Sequence, residues 1–358
     1  MKRSQRIIHV TSVGSSAADE IHRLGFRSPE ALAERIAGVV GPRYRVTCAG
    51  KIIMTPVKEA EGGRDDDAAR AADIESALAD DNVAALVCIR GGSWFVRTLP
   101  RIDFDVLKRR RHPVFVFGFS EMTALVGVAG AYAKCVGLYD LCPGFIFSGL
   151  RREAEGRITQ LARGIELAPE QHSAFAAGWA AANYLPRFLD FFREVVDIIE
   201  GRGTARRPSG RVLAGRLPAR SKITIVGGNL SLVESLLPRY ASAFETRGRW
   251  LALEEINESP DRFDRMMAAL NLAGLFERAE GVLIGDFQDQ GRDLRAAAVA
   301  VLKRHLPARR RVPIVSLENF GHIWPIAPLP LHRPVTLVVS RSSGGARAHI
   351  EIPWAEWV

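Results

Sequence analysis

The segment Gly118-Phe119-Ser120-Glu121 sets a serine between an apolar run, Pro113–Phe119, and a helix-forming stretch. A strand-to-helix turn there lifts the serine Oγ clear of a sheet. It also places the serine at a helix N-terminus, where free N–H groups and the dipole favour a developing oxyanion. The chemistry offered is nucleophilic attack on a carbonyl; the alternative is a serine that only caps the helix. Met122 stands where the hydrolase elbow G-x-S-x-G has its last glycine. Arg90-Gly91-Gly92 follows a second apolar run, Ala84–Ile89. Paired glycines there permit close backbone approach, which suits a second oxyanion donor, a phosphate-binding turn or a plain tight turn. Neither G-x-G-x-x-G nor G-x-x-x-x-G-K-[ST] occurs, so the usual dinucleotide and Walker-type phosphate sites lack their residues.

A serine nucleophile needs a base, most often histidine. Of the eight histidines, His22 and His305 fall on helices, His349 in a tail strand, and His112 at the wrong end of a strand. His322 is the best placed: it follows Gly321 in a loop after the strand Pro313–Ser316, with Phe320 and Trp324 nearby. The base needs an orienting acceptor. Glu254 ends the apolar run Trp250–Leu253, and Asp286 ends Gly281–Gly285 in the same way. The two are equivalent by spacing. A period of two turns Glu255 to the opposite face.

The elements that must hold these residues alternate. Strands are expected at Arg6–Thr11, Tyr44–Cys48, Ala84–Ile89 and Pro113–Phe119. Helices are expected from Pro29 through Val40, capped by Ser28, at 65–80, at 103–111 and from Glu121 to about Lys134. This order predicts an open parallel α/β sheet, Rossmann-like or flavodoxin-like. Leu150 to Gly201 is mostly helical in pattern, and Gly201–Ser221 is rich in Gly, Pro and Arg, which predicts an exposed linker or a domain crossover. A second α/β block begins at Lys222 and closes with antiparallel strands at Val335–Val339 and Ala348–Ile352. With 358 residues, the chain exceeds one core of about 250–300 residues. The expected division is residues 1–165 carrying the nucleophile, a helical connector and linker over 166–221, and a smaller domain over 222–358, partly antiparallel or barrel-like.

Composition excludes several classes. Hydrophobic and charged residues make up 47% and 25%, the proportions of a globular protein rather than a disordered or fibrous one. The net charge of +9 comes in separate clusters, 108–111, 202–220 and 304–311, not interleaved with aromatics, so nucleic acid is not an expected partner. Cys48, Cys88, Cys135 and Cys142 form no C-x-x-C pair, which argues against a disulfide framework or structural zinc and suits the cytoplasm. Arg6 and His9 interrupt any signal-peptide apolar region, and no run of about 18 apolar residues suggests a membrane span.

Taken together, the motifs resemble those of the LD-carboxypeptidase family, serine peptidases that include the muropeptide LD-carboxypeptidases and the microcin C self-immunity peptidases. Arg90-Gly91-Gly92 with Leu99-Pro100 and Asp103-Phe104-Asp105 resembles R-G-G…L-P-x-[LI]-D-[FY]-D. Gly118 through Leu125 resembles G-[YF]-S-D-x-T-A-L, and Gly227-Gly228-Asn229-Leu230 matches G-G-N-L. Leu253-Glu254-Glu255 through Glu258, with Arg262, Asp264 and Arg265, is similar to L-E-D-x-x-E…R-x-D-R. Leu272-Ala273-Gly274, Gly281–Phe287 and Gly321-His322 follow in the family's order.

The resemblance implies a two-domain homodimer without a cofactor or a metal. Ser120 is its nucleophile, His322 its general base and Glu254, rather than Asp286, its orienter. The backbone N–H groups of Glu121 and Gly92 form the oxyanion hole. The implied substrate is a short peptide: a murein tetrapeptide cut before its terminal D-alanine or, alternatively, a peptidyl- or aminoacyl-nucleotide amide. A silent ligand-binding protein on the same scaffold is the reading from another class. Arg90 by its bidentate fork, Trp94 by stacking and Asn229 by its motif are the candidate substrate-binding residues, with a structural salt bridge as the alternative for Arg90; Trp324 is a second ring that could stack a base. Glu121 replaces the family's aspartate, Ser93-Trp94 follows the double glycine, and Cys142-Pro143-Gly144 stands near the family's H-G-P; these positions line the cleft.

Overall fold

The computed structural model describes residues 5–54, 66–161 and 169–358. Five parallel strands, β1 (Arg6–Thr11), β2 (Tyr44–Cys48), β3 (Val83–Cys88), β4 (Val114–Gly118) and β5 (Cys135–Tyr139), lie in the order β2-β1-β3-β4-β5. This is the flavodoxin-like order, with its topological switch between β1 and β3. β3, β4 and β5 are buried along their whole length, as expected of central strands covered by helices on both faces. The helix Pro29–Val40 begins as its residues predict: Ser28 accepts the Ala31 N–H and Pro29 takes the first position.

The remaining strands are β6 (Ser209–Ala214), β7 (Arg220–Asn229), β8 (Trp250–Ile256), β9 (Gly281–Asp289), β10 (Arg292–Asp293), β11 (Ile314–Leu317), β12 (Leu329–Leu331), β13 (Pro334–Ser342) and β14 (Gly345–Glu351). Seven of them close into a ring, β9-β11-β6-β14-β13-β7-β8, sealed by the parallel β8–β9 pair. β10 hangs from β9. β12 leaves this unit altogether and pairs antiparallel with β5. The segment between β11 and β12, which carries His322, is therefore anchored on the ring at one end and on the open sheet at the other.

Three expectations need correction. The Gly/Pro/Arg-rich segment is not simply an exposed linker, since β6 lies within it between β11 and β14. Its pattern S-G-R-V-L-A hides the strand: Gly210 is the buried position, and Arg211 faces outward to Glu318. Arg206 of the same segment is mostly buried and ion-paired with Asp140 and Glu194. Second, the helix expected from Glu121 to about Lys134 is one short turn, Ser120–Met122, and then a helix over Thr123–Gly130, because β5 begins at Cys135. Third, the helix Pro169–Ile199 in the expected connector packs on the first unit: Phe191 meets Phe117 of β4 edge-on, with ring centroids 6.3 Å apart. The expected boundary at 165/166 lies outside the described residues. Among the described residues no helix is long and apolar enough to cross a membrane.

Candidate active site

Ser120 stands directly after β4 with φ of +61°, a left-handed conformation that costs a non-glycine residue on the order of 1–3 kcal/mol. The strain turns the chain sharply out of the sheet into the helix Thr123–Gly130. Gly91 packs against this turn: a Cβ there would lie 3.4 Å from Phe119 O and 3.7 Å from Glu121 N. The Glu121 carboxylate ties the two loops together. It accepts the N–H groups of Phe95 at 2.7 Å and Val96 at 3.3 Å, at the start of the helix that follows Gly92-Ser93-Trp94. Burial raises its pKa, and these N–H groups oppose the rise. Gly92 and Glu121 thus belong to adjoining loops beside Ser120.

The ring unit supplies the other two side chains. Glu254 is fully buried on β8, and its Oε2 lies 2.8 Å from His322 Nδ1. This fixes the proton on Nδ1 and leaves the Nε2 lone pair as the acceptor. Burial pushes the His322 pKa down. The Glu254 charge and hydrogen bond, with Glu255 and Asp286 behind them, outweigh it, and the net direction is up. Gly321 has φ of +104°, and a Cβ there would sit 2.9 Å from Glu254 Oε2, so only glycine lets the loop cross the carboxylate this closely. The residue before the nucleophile completes the contact, with the Phe119 ring 4.9 Å from the imidazole. A Ser120 Oγ–His322 hydrogen bond is not among those formed by the described residues; such bonds are often long before substrate binds.

The two units are joined by a tyrosine. Ser120 N–H donates to Tyr139 OH at 3.0 Å, and Tyr139 OH donates to Glu254 Oε1 at 2.5 Å. Asn229 lies alongside with its side chain fully engaged. Its Nδ2 donates to Glu254 Oε1 and Glu255 Oε1, and its Oδ1 accepts from Ser231 and Leu232. Its own N–H reaches Thr123 Oγ1 at 2.9 Å. Both Glu254 and Glu255 meet on this amide, which corrects the expected opposite facing of Glu255. The β8–β9 register slips between Leu253 and Glu255, and a bulge breaks the alternation. Asp286 is buried nearby, bonded by Gln288 and 3.6 Å from Arg295.

Arg90 donates to Glu20 Oε1 at 3.1 Å. Trp94 is 45% exposed, with the Arg97 guanidinium over its ring. Trp324 lies against Gly149 and donates to Glu153 at 3.4 Å.

Two family models match the chain: the LD-carboxypeptidase N-terminal domain over residues 8–140 and the LD-carboxypeptidase C-terminal domain over residues 224–337. The chain belongs to the LD-carboxypeptidase family. It is thereby an enzyme of the serine-carboxypeptidase class, as its motifs implied. A Bacillus subtilis protein named "Probable murein peptide carboxypeptidase" is 27% identical over 287 residues, which cover 75% of this chain and 72% of that one. A muramoyltetrapeptide carboxypeptidase from Oxalobacter formigenes shares the fold with a TM-score of 0.59 at 20% identity, over 96% of this chain and 99% of that one. The microcin C7 self immunity protein MccF, solved with aspartyl sulfamoyl adenosine, has a TM-score of 0.60 at 15% identity, over 97% and 96%.

For this LD-carboxypeptidase-family protein, sequence reasoning missed Tyr139. Tyr139 is a polar-tipped aromatic at the carboxyl end of a strand, the place where site residues gather. The strand itself was unread, so the signal had no context. Phenylalanine at position 139 removes the acceptor of Ser120 N–H and one donor to Glu254. A Tyr139→Phe variant is expected to lose about 1–3 kcal/mol in urea unfolding. It should also lose roughly 10–100-fold in kcat with KM little changed, since the aligning bonds matter most as charge develops.

Proposed function

We propose that this protein is a serine peptidase that hydrolyses the amide bond before the C-terminal residue of a short peptide, with the murein tetrapeptide, cut between its L-diamino acid and D-alanine, as substrate. The observation that carries this reading is the buried Glu254–His322 pair joined through Tyr139 to the strained strand-to-helix turn that holds Ser120. Ser120 Oγ attacks the carbonyl carbon while His322 Nε2 takes its proton. The oxyanion is received by the N–H groups of Gly92 and Glu121. The imidazolium then protonates the leaving amine, and the acyl-enzyme forms. Water, deprotonated by His322, releases the shortened peptide. Asn229 and Tyr139 act by holding Glu254. The names of the Bacillus and Oxalobacter relatives support this substrate class.

A second reading, hydrolysis of an aminoacyl-nucleotide amide, is favoured by the exposed Trp94 ring on the Gly92 loop, a surface on which a base can stack. The test runs both substrates and a fluorophosphonate probe. Release of D-alanine from the tetrapeptide and a covalent label on Ser120 are the expected results. Cleavage of an aminoacyl sulfamoyl adenosine alone moves the assignment to the second reading. An unlabelled serine with neither substrate turned over rejects both readings in favour of a silent binder.

A further inference from the structure

An exopeptidase must recognise the charged end of its substrate, and the sequence offered Arg90 for this. In the structure Arg90 is committed to Glu20, whose side chain is 7% exposed. A different arginine stands beside the base. Arg152, on the helix Ile146–Leu161, donates from Nη1 to the His322 carbonyl oxygen at 2.8 Å. Its guanidinium carbon lies 5.4 Å from the centre of the Phe145 ring. Phe145 in turn packs on Phe119 at 5.2 Å and stands edge-on to the imidazole at 6.5 Å. The cation is therefore held from two sides next to the reacting centre, while the residue stays exposed.

The acids nearest in sequence are already engaged: Glu153 with Arg157 and Trp324, and Glu155 with Arg151. Among the described residues no carboxylate pairs with Arg152. Holding the His322 loop does not account for it either, because Gln288 Nε2 also donates to the same carbonyl oxygen at 3.3 Å. A guanidinium has five N–H donors in a rigid fork, and one bond to a carbonyl leaves the others for a bidentate acceptor. The terminal carboxylate lies one residue, ~3.5 Å of chain, beyond the scissile bond. Arg152 touches the backbone of the residue whose imidazole serves that bond, so its guanidinium stands on the side of the site to which the chain end runs.

We propose that Arg152 receives the C-terminal carboxylate of the substrate and so makes the enzyme an exopeptidase. This rests on the reading of Ser120 and His322 as the hydrolytic pair. The experiment compares a peptide ending in D-alanine with its C-terminal carboxamide, in the wild type and in Arg152→Gln, Arg152→Lys and Arg90→Gln variants. The wild type is expected to prefer the free acid. Arg152→Gln should lower kcat/KM for the acid about 10–100-fold, mostly through KM, the scale of a hydrogen-bonded charge pair, and leave the amide nearly unchanged. Arg152→Lys should restore part of the preference, and Arg90→Gln should retain it. A preference that survives Arg152→Gln, an equal fall for acid and amide, or a preference lost in Arg90→Gln instead overturns the proposal. Binding of both peptides to Ser120→Ala and to Ser120→Ala/Arg152→Gln, measured by calorimetry, reads the same contrast without turnover. Failed hydrolysis and a failed carboxylate site are then separate results.

Discussion

A Ser120→Ala variant is expected to lose peptide hydrolysis by about 10⁴–10⁶-fold in kcat, the scale set by removing a nucleophile from a working triad. The comparison is clean because the substitution leaves the rest of the site in place. The positive φ at position 120 belongs to the turn, and alanine bears the same backbone strain as serine. The bond from the Ser120 N–H to Tyr139 OH involves the backbone and survives. The melting temperature should therefore stay within a few degrees of the wild type, and substrate should still bind. A variant that retains turnover within tenfold of the parent, at intact fold, rules out Ser120 as the nucleophile.

Much of this site could be read from residue types at the ends of apolar runs. Ser120, Glu254 and His322 each stand near where an apolar run stops, and the structure links their elements through Tyr139 and the Phe119–His322 ring contact. The first sheet is legible because β3 and β4 are continuous apolar runs of parallel-sheet type and β1, though it carries Arg6 and His9, is rich in β-branched residues. What failed was short or interrupted. β5 is five residues with Gly137 at its centre. β12 is three residues containing Pro330, and only its pairing with β5 makes it a strand. β6 presents arginine to solvent and glycine to the interior. Closure of the ring depends on β8 meeting β9 beside a register slip, and no local pattern reports such a pairing. The same slip undid the facing assigned to Glu255. Arg152 was invisible for a different reason: a surface arginine on a helix looks like any other until the His322 loop is seen to lie against it.

The junction also explains why glycine recurs in the motifs. Gly228 has φ of +139°, and a Cβ there would lie 2.7 Å from Thr123 Oγ1 and 3.1 Å from Tyr139 Cε2. The end of β7 therefore lies against the helix behind Ser120 and against the tyrosine that bridges to Glu254. This close approach allows the Asn229 N–H to reach Thr123, and it sets the distance between the nucleophile of one unit and the carboxylate of the other. The motif G-G-N-L is in this sense a device for registering two sheets, with Asn229 as its last contact.

The second large effect is expected from Glu254→Gln, and it has two signatures. Glu254 accepts from three sides: His322 at Oε2, and Tyr139 and Asn229 at Oε1. A carboxamide has only one oxygen. If its NH₂ takes the Oε1 position it opposes the Asn229 NH₂; if it takes the Oε2 position it donates to Nδ1 and drives the imidazole proton to Nε2. The first outcome breaks the packing of the site, and the second removes the base. A fall in kcat of about 10⁴ is expected, as for the loss of the tautomer-fixing acid in a serine triad. The pH profile gives an independent check. His322 acts as a base only when neutral, so activity rises with pH through its pKa. In the wild type burial lowers that pKa, but the Glu254 charge and bond raise it further, and the acid limb lies above the ordinary 6.5. Removing the Glu254 charge leaves the burial effect with less opposition, and the acid limb of the residual activity moves to lower pH. A neutral amide at 254 that left this limb in place would show that the titrating group is not His322 held by Glu254, and the triad would have to be reassigned.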